Sequence, residues 1–392
     1  MFSSLWRRAR PAAPMGRLGS LVVVLMLAAC SSSGPASTTA PTGTSAPPES
    51  PAASESAKPL TKVRAGLGWV FQGQFAGFMV AQSMGFYKDV GLDVQLIPGG
   101  PDVNGQALVV SGSAEFGMAG DFAQVMSARE QGIPVKGIFT VQEHQGGILI
   151  CKKTTGITSW KDLTGKKIGV WEGSGRTGVR YALNVAGVGA DNVTLLPQKF
   201  SMVEFYEDLF DCASATTPNE LHVVLDAGYA VSDLTLLDFD QLGFRIPGDT
   251  VFTTDKLISD HPDVVQAFVT GTLKGWMYAI QHPEEAATIV LQFAPDLEYR
   301  KQVLQIWEMA RLMVSGSGAT KGIGYLDQAD LETLLKAALS AGTMSTSVDV
   351  TQSYTNEFWD NVPSEDKVVP DVPGLLQRVA ENTGNPLANP AP

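Results

Sequence analysis

From Lys62 onward, short apolar runs of strand length alternate with stretches of helical period, and this alternation restricts the chain to parallel α/β architecture. Strands are predicted at Val63 to Trp69, Leu92 to Ile97, Ala114 to Met118 and Val135 to Thr140, separated by helices near 76–88, 103–110 and 122–131. Ala107, Leu108 and Val110 are expected to face the sheet from the second of these helices. A continuous apolar strand, Gly147 to Lys152, then leads into a second series of the same kind. That series holds strands at Ile168 to Trp171, Val193 to Leu196, Asp211 to Thr217 and Leu234 to Phe239, and a crossing strand at Ile246 to Thr253. Long helices follow. Asp260 and Pro262 mark the start of one that places Val265, Phe268, Val269, Leu273, Trp276, Met277 and Ile280 on one face. Roughly 330 ordered residues exceed one comfortable core, so two lobes are expected. The predicted division is 62–152 with 247–362 for the first lobe and 153–246 for the second, with passes near Cys151 and near Phe244 to Val251 acting as a hinge. The Pro- and Asn-rich tail, 363–392, is expected to fray.

Gly165 to Gly178 has the make-up of a ligand cradle. A strand runs into a Gly/Ser turn and then into a helix whose Val179, Leu183 and Ala186 share a face. The helix N-terminus near Ser174, Gly175, Arg176 and Thr177 presents unpaired N–H groups suited to a carbonyl, carboxylate or phosphate. Gly173-Ser174-Gly175-Arg176-Thr177-Gly178 also matches the dinucleotide fingerprint Gly-x-Gly-x-x-Gly. That fingerprint requires an acid at the end of the next strand to hold the ribose, and Pro197-Gln198-Lys199 stands there instead. NAD is not expected.

The first residues read as an export leader. Arg7, Arg8, Arg10 and Arg17 occur with no acid, and the apolar run Leu21 to Leu27 falls far short of the ~20 residues of a membrane span. Leu27-Ala28-Ala29-Cys30 resembles the lipobox of bacterial lipoproteins. The resemblance implies removal of 1–29, acylation of Cys30 and attachment to the outer face of the cell membrane. Ser31 to Leu60, rich in Ser, Thr, Pro and Ala, is too poor in apolar side chains to pack and is expected to be a disordered tether within 30–61. The chain carries a formal charge of −12; with four of its 28 basic residues in the leader, the remainder sets 24 basic against 40 acidic residues, a balance of −16. Such a body is repelled by phosphate backbones, so no nucleic-acid partner is expected. Apart from Cys30, Cys151 and Cys212 allow either one disulfide or two buried thiols. His144, His222, His261 and His282 lack metal-ligand spacing. No metal or cofactor is expected.

Four separated stretches carry a family resemblance. They are Phe78 to Gly100, with Ser-Met-Gly-Phe-Tyr-Lys-Asp-Val-Gly-Leu at its centre, Ser111 to Gly117 (Ser-Gly-Ser-Ala-Glu-Phe-Gly), Gly132-Ile133-Pro134-Val135, and Ile157 to Val170. Together they resemble the solute-binding proteins of ABC importers in the nitrate, taurine, aliphatic-sulfonate and thiamine-pyrimidine-precursor group. The resemblance implies a two-lobed periplasmic-binding-protein type II fold with a two-strand hinge and extra C-terminal helices. It further implies a monomer that closes on a small molecule and delivers it to a permease. Gln72-Gly73-Gln74-Phe75-Ala76-Gly77 and Pro98-Gly99-Gly100-Pro101-Asp102 look most like the branch that binds the thiamine pyrimidine precursor or riboflavin. The fungal members include a pyrimidine synthase with an iron site near a cysteine-rich motif, and that motif does not occur here.

Each candidate ligand residue has two readings. Trp69 and Phe75 flank a loop at the carboxyl end of the first strand, where rings can stack on a heterocycle or simply pack. Gln72 and Gln74 offer donor and acceptor to a ring amide, or are solvated. Asp121 meets a ligand amino group or caps a helix. His144 looks into the cleft or lies at the surface. Asn219 and Glu220 lie where the chain leaves a second-lobe strand, and Glu220 accepts from ligand N–H groups or is a first-turn acid. A nitrate- or sulfonate-binding protein of the same fold remains an alternative. So does an enzyme of that fold, for which His144 and Cys151 are the reactive candidates.

Overall fold

The structure is a computed structural model and describes residues 59–100, 103, 105–171, 174–199, 201–243 and 245–388. The leader, Cys30 and nearly all of the tether lie outside the described residues, as do Pro101, Asp102 and Gly173. Ten strands follow in chain order among the described residues: β1 (Thr61–Gly66), β2 (Leu92–Ile97), β3 (Gly117–Asp121), β4 (Val135–Gln142), β5 (Gly147–Lys152), β6 (Lys167–Val170), β7 (Thr194–Pro197), β8 (Cys212–Thr216), β9 (Leu234–Asp238) and β10 (Gly248–Thr254). Thr61, assigned to the tether from sequence, already pairs with Leu92.

Both lobes have the same strand order. The second lobe is β7-β6-β8-β5-β9. In the first, the β1-β2 pair meets β3 through the bond from Gly66 N to Phe116 O (2.9 Å), giving β2-β1-β3-β10-β4. Each sheet is completed by one antiparallel strand that comes from the other side of the hinge: β10 lies between β3 and β4, and β5 between β8 and β9. This corrects the sequence division, because β5 with Cys151 belongs wholly to the second sheet and the chain crosses at Glu143 to Gly146. The apolar run 147–152 signalled burial, which either sheet could supply. Cys151 and Cys212 are register partners on β5 and β8 and form a disulfide, so of the two states open to them the oxidised one is found.

The first-lobe core gathers around the Pro262–Gln281 helix, whose Val265, Phe268, Val269, Leu273, Trp276, Met277 and Ile280 are all buried as the periodicity predicts. It packs backbone to backbone on the Ala76–Ser83 helix: a Cβ on Gly275 would fall 2.1 Å from the Gly77 carbonyl oxygen. Asp260 ends the preceding Asp255–Asp260 turn rather than capping this helix. In the Gly105–Val110 helix it is Val109 that is buried, while Val110 is exposed. The tail also departs from expectation. Val372–Thr383 is a helix capped by Asp371 and closed by Gly384, with Leu375 and Val379 in the first-lobe core.

The first crossing is held from behind by the Tyr299–Met313 helix and the turn after it. Glu143 N donates to Leu312 O (3.2 Å), and Glu143 Oε2 accepts from Ser317 Oγ at 2.5 Å. Gly146 has φ +59°, and a Cβ there would meet Leu312 and Thr217 at 2.9 Å, so only glycine fits the bend. Burial pushes the Glu143 carboxyl up to about 8; Asp330 adds to the rise, and Ser317 and Arg245 oppose it. Burial, with Arg311 and Arg245 nearby, pushes His144 down to about 3.

Two expectations follow. The bridged cysteines are 61 residues apart. For such a loop the chain-entropy relation gives about 4 kcal/mol of stabilisation, so Cys151→Ser/Cys212→Ser should melt several degrees below the oxidised parent by calorimetry; equal melting points would show that the bridge adds nothing. Glu143 ionises near 4.5 when unfolded but only near 8 in the fold, so the folded state holds more protons across that window and stability drops as pH rises through it. The melting-temperature difference between Glu143→Gln and the parent should therefore shift in favour of the variant from pH 5 to 9, and a pH-independent difference would refute the assignment.

Candidate functional site

Asp249 is the centre of a buried polar set beside the second crossing. It opens β10 just after the second crossing, is buried, and has φ +48°, a conformation that non-glycine residues adopt at some strain. Its Oδ2 accepts from Gln74 Nε2 (2.8 Å) and Gln142 Nε2 (2.6 Å), and Gln72 Nε2 in turn donates to Gln74 Oε1 (2.9 Å). An amide relay thus runs from the β1 loop through Asp249 to the end of β4. Burial lifts the Asp249 carboxyl to about 6 even with both amides donating to it.

A second polar group lies where the lobes approach. Asp121 ends β3 and caps the Phe122–Glu130 helix by accepting from Gln124 N (3.0 Å), so the capping reading is realised. Its Oδ2 is buried without a hydrogen-bond partner, and burial raises the carboxyl to about 6. Gln145 Nε2, from the first crossing, donates to Gly120 O (2.9 Å) beside it. Gln145 also borders Gly248 and Gly178, which places the Ser174–Val185 helix against the same group. Gly175, Arg176 and Thr177 in its first turn are half-buried. Two turns along the helix, Tyr181 joins a first-lobe core with Phe122 and Leu335, and its hydroxyl hydrogen-bonds Thr343 Oγ1 (2.6 Å).

The other sequence candidates separate clearly. Trp69 is half-buried at the edge of the first-lobe core, and its carbonyl accepts from Gly99 N (2.9 Å). Phe75 is 0 % exposed and packs in the first-lobe core, the packing reading; the short helical turn at Gly73–Phe75 aims it inward. His144 is turned toward Ser315 Oγ (2.8 Å) and buried behind the crossing, away from the reading that placed it in the cleft. Glu220 closes its own strand-to-helix turn, taking Thr216 N (2.9 Å), Thr216 Oγ1 (2.8 Å) and Asn219 Nδ2 (2.6 Å). Asn219 and Glu220 are therefore committed to local structure. Sequence reasoning missed Asp249, Gln142 and Gln145. The available signal was an acid at 249 inside the crossing strand predicted at Ile246 to Thr253, since Asp is depleted in strands.

Among the described residues no group of three or more His, Cys, Asp or Glu side chains is placed to hold a metal ion, and no helix is long and apolar enough to cross a membrane. An open trough of about 610 Å³ lies elsewhere, lined by Gln328, Tyr354, Asn356 and Asp360, and includes none of the residues above.

Residues 72–286 match the family described as NMT1/THI5 like. The chain is 29% identical over 362 residues to the riboflavin-binding protein RibY of Chloroflexus aurantiacus, covering 86% of this chain and 95% of that one. It is 22% identical over 315 residues to the 4-amino-5-hydroxymethyl-2-methylpyrimidine phosphate synthase of Legionella pneumophila, covering 76% and 93%. In fold it is similar to the periplasmic aliphatic sulphonate binding protein SsuA of Escherichia coli, with TM-score 0.58, 13% identity and coverage of 74% and 91%. The chain belongs to the NMT1/THI5-like family, on the two-lobed α/β periplasmic-binding-protein type II fold with additional C-terminal helices.

Proposed function

We propose that this protein is an extracytoplasmic solute-binding protein that captures a small heteroaromatic molecule of the thiamine-pyrimidine-precursor or riboflavin type. It would close its lobes on the ligand, deliver it to an ABC import permease as a monomer, and remain attached to the membrane through an acyl chain on Cys30. The relay Gln72–Gln74–Asp249–Gln142 carries the reading. Its amides offer both donor and acceptor atoms, and the buried carboxyls Asp249 and Asp121 favour a ligand edge that donates N–H groups. Trp69, half-buried next to this loop, supplies a ring for stacking, and the first turn of the Ser174–Val185 helix supplies peptide donors from the other lobe. The relative named for riboflavin binding supports this choice of ligand class.

The alternatives fit the site less well. Nitrate or a sulfonate needs a donor-rich pocket, and two buried carboxyls would repel it as they ionise. An enzyme would need a reactive group, yet Cys151 is tied up in a buried disulfide and His144 is buried, neutral and bonded to Ser315. Cleft closure therefore explains these residues better than turnover does.

A thermal-shift and calorimetric panel of riboflavin, the hydroxymethylpyrimidine precursor, nitrate and taurine tests the reading. A heteroaromatic compound should bind and the two anions should not; selective binding of an anion would overturn it. Trp69→Ala and Asp249→Ala should each weaken the bound heterocycle by roughly tenfold or more, the scale of one lost ring contact or charge-assisted hydrogen bond. Unchanged affinity in both would remove these residues from the site. In cells, Cys30→Ser should move the protein from the membrane fraction to the soluble one, and retention in the membrane would exclude the acyl anchor.

A further inference from the structure

The last described turn of the chain spans the two lobes. The Val372–Thr383 helix is seated on the first lobe through Leu375 and Val379. Gly384, at φ +65°, ends that helix, and Asn385 turns inward to 1% exposure. Its Nδ2 donates to both oxygens of Glu308, at 2.9 and 3.0 Å. Glu308, fully buried on the Tyr299–Met313 helix, also accepts from Arg311 Nε at 3.1 Å. Arg311 Nη2 then reaches the second lobe, donating to Thr217 Oγ1 at 2.8 Å just past β8. His222, on the second-lobe Glu220–Asp226 helix, stands 3.8 Å from Glu308 Oε1. Two residues beyond Asn385, Leu387 packs against the second-lobe cluster of Ile148, Phe205 and Leu221, while Ala388 returns to the first-lobe core.

The network is worth most when it is complete. A buried carboxylate must be both paired and hydrogen-bonded, and removing one donor exposes the remaining charge to its full desolvation penalty. Burial alone would raise the Glu308 carboxyl, but His222, Arg311 and Asn385 together overcome it and hold the group below its usual range. Asn385 thus fixes the anion that orients Arg311, and Arg311 grips the second lobe. Leu387 adds an apolar contact to the same lobe. Contacts made only in one arrangement of two bodies shift their population toward that arrangement.

We propose that residues 384–388 form an interlobe strap, in which Asn385 positions the Glu308–Arg311 pair on Thr217 and Leu387 grips the second lobe. The strap biases the lobes toward the arrangement seen here, adding to the two strand crossings and to the Tyr181–Thr343 contact. Slower escape of a bound ligand is a further consequence, which rests on the binding role proposed above; the strap itself does not.

Hydrogen–deuterium exchange of the ligand-free protein therefore tests it. The comparison uses the parent, Asn385→Ala, Leu387→Ser and the donor-preserving Asn385→Gln. The first two variants should raise exchange at 143–147 and 216–226 about tenfold, the effect of losing one buried hydrogen bond or one apolar contact. Residues 372–383 should keep parental protection, and Asn385→Gln should lie nearer the parent than Asn385→Ala does. Unchanged exchange at 143–147 and 216–226 would overturn the strap. So would loss of protection at 372–383 in step with those segments, which would mean that the substitutions merely unfold the terminal helix. Failure of riboflavin to bind the parent would count against the ligand assignment and would leave the exchange comparison to decide the strap.

Discussion

Neither sheet is complete without a strand delivered across the hinge. β10 reaches its place between β3 and β4 only after the chain has built the second lobe, and β5 leaves the first lobe to stand between β8 and β9. Buried strand edges leave peptide groups that must be paired, so both crossings are pinned at each end by ladders that cannot slip without flipping side chains to the wrong face. Glu143 to Gly146 is accordingly a short, fixed bend and not a loose linker. Groups at the ends of the crossing strands, Gln142 on one and Asp249 on the other, meet because the ladders bring them together. The polar relay beside the second crossing is a by-product of the strand exchange, and any motion of the lobes must work around it.

The electrostatics of that relay constrain what can bind. Asp249 occupies a left-handed backbone conformation in the interior, and two glutamines aim donors at the same oxygen. Asp121, the register partner of Gly248, repeats the theme, with one oxygen spent on a helix cap and the other unpartnered. Both carboxyls are lifted by burial into the range where a neighbouring donor decides their protonation. Amides read shape and hydrogen-bonding edges more than charge, which is the chemistry behind the ligand class proposed above.

Much of the fold was legible because local rules and tertiary structure agree. The 3.6-residue period of Val265, Phe268, Leu273 and Trp276 marked a buried helix face, and the alternation of strand and helix marked the lobes. What escaped was non-local. An apolar run such as Ile148 to Cys151 states that it is buried but not in which sheet, so the lobe boundary moved. Gln72 and Gln74 are candidates because their loop position is visible in sequence, whereas Gln142 and Asp249, 107 residues apart, have no local signal of their pairing. Phe75 and Trp69 flank one loop, and only the turn between them decides which ring faces the core. The tail was misread because Pro373 and Asn382 obscured a short amphipathic helix that Asp371 and Gly384 in fact punctuate correctly.

Among the described residues, several polar contacts cross between the lobes or at the hinge. Tyr181 meets Thr343, Gln145 meets Gly120, and Arg311 meets Thr217, each through a single hydrogen bond. A buried hydrogen bond nets about 1 kcal/mol once its lost hydration is counted, so these bonds together separate the lobe arrangements by only a few kcal/mol. That is the interval in which a ligand's differential affinity can move a population decisively. Most of the deep apolar packing, by contrast, lies within each lobe, with Tyr181 of the Ser174–Val185 helix crossing into a first-lobe core. Hydrophobic burial therefore makes the halves rigid, and polar bonds join them together with the apolar contacts of Tyr181 and Leu387.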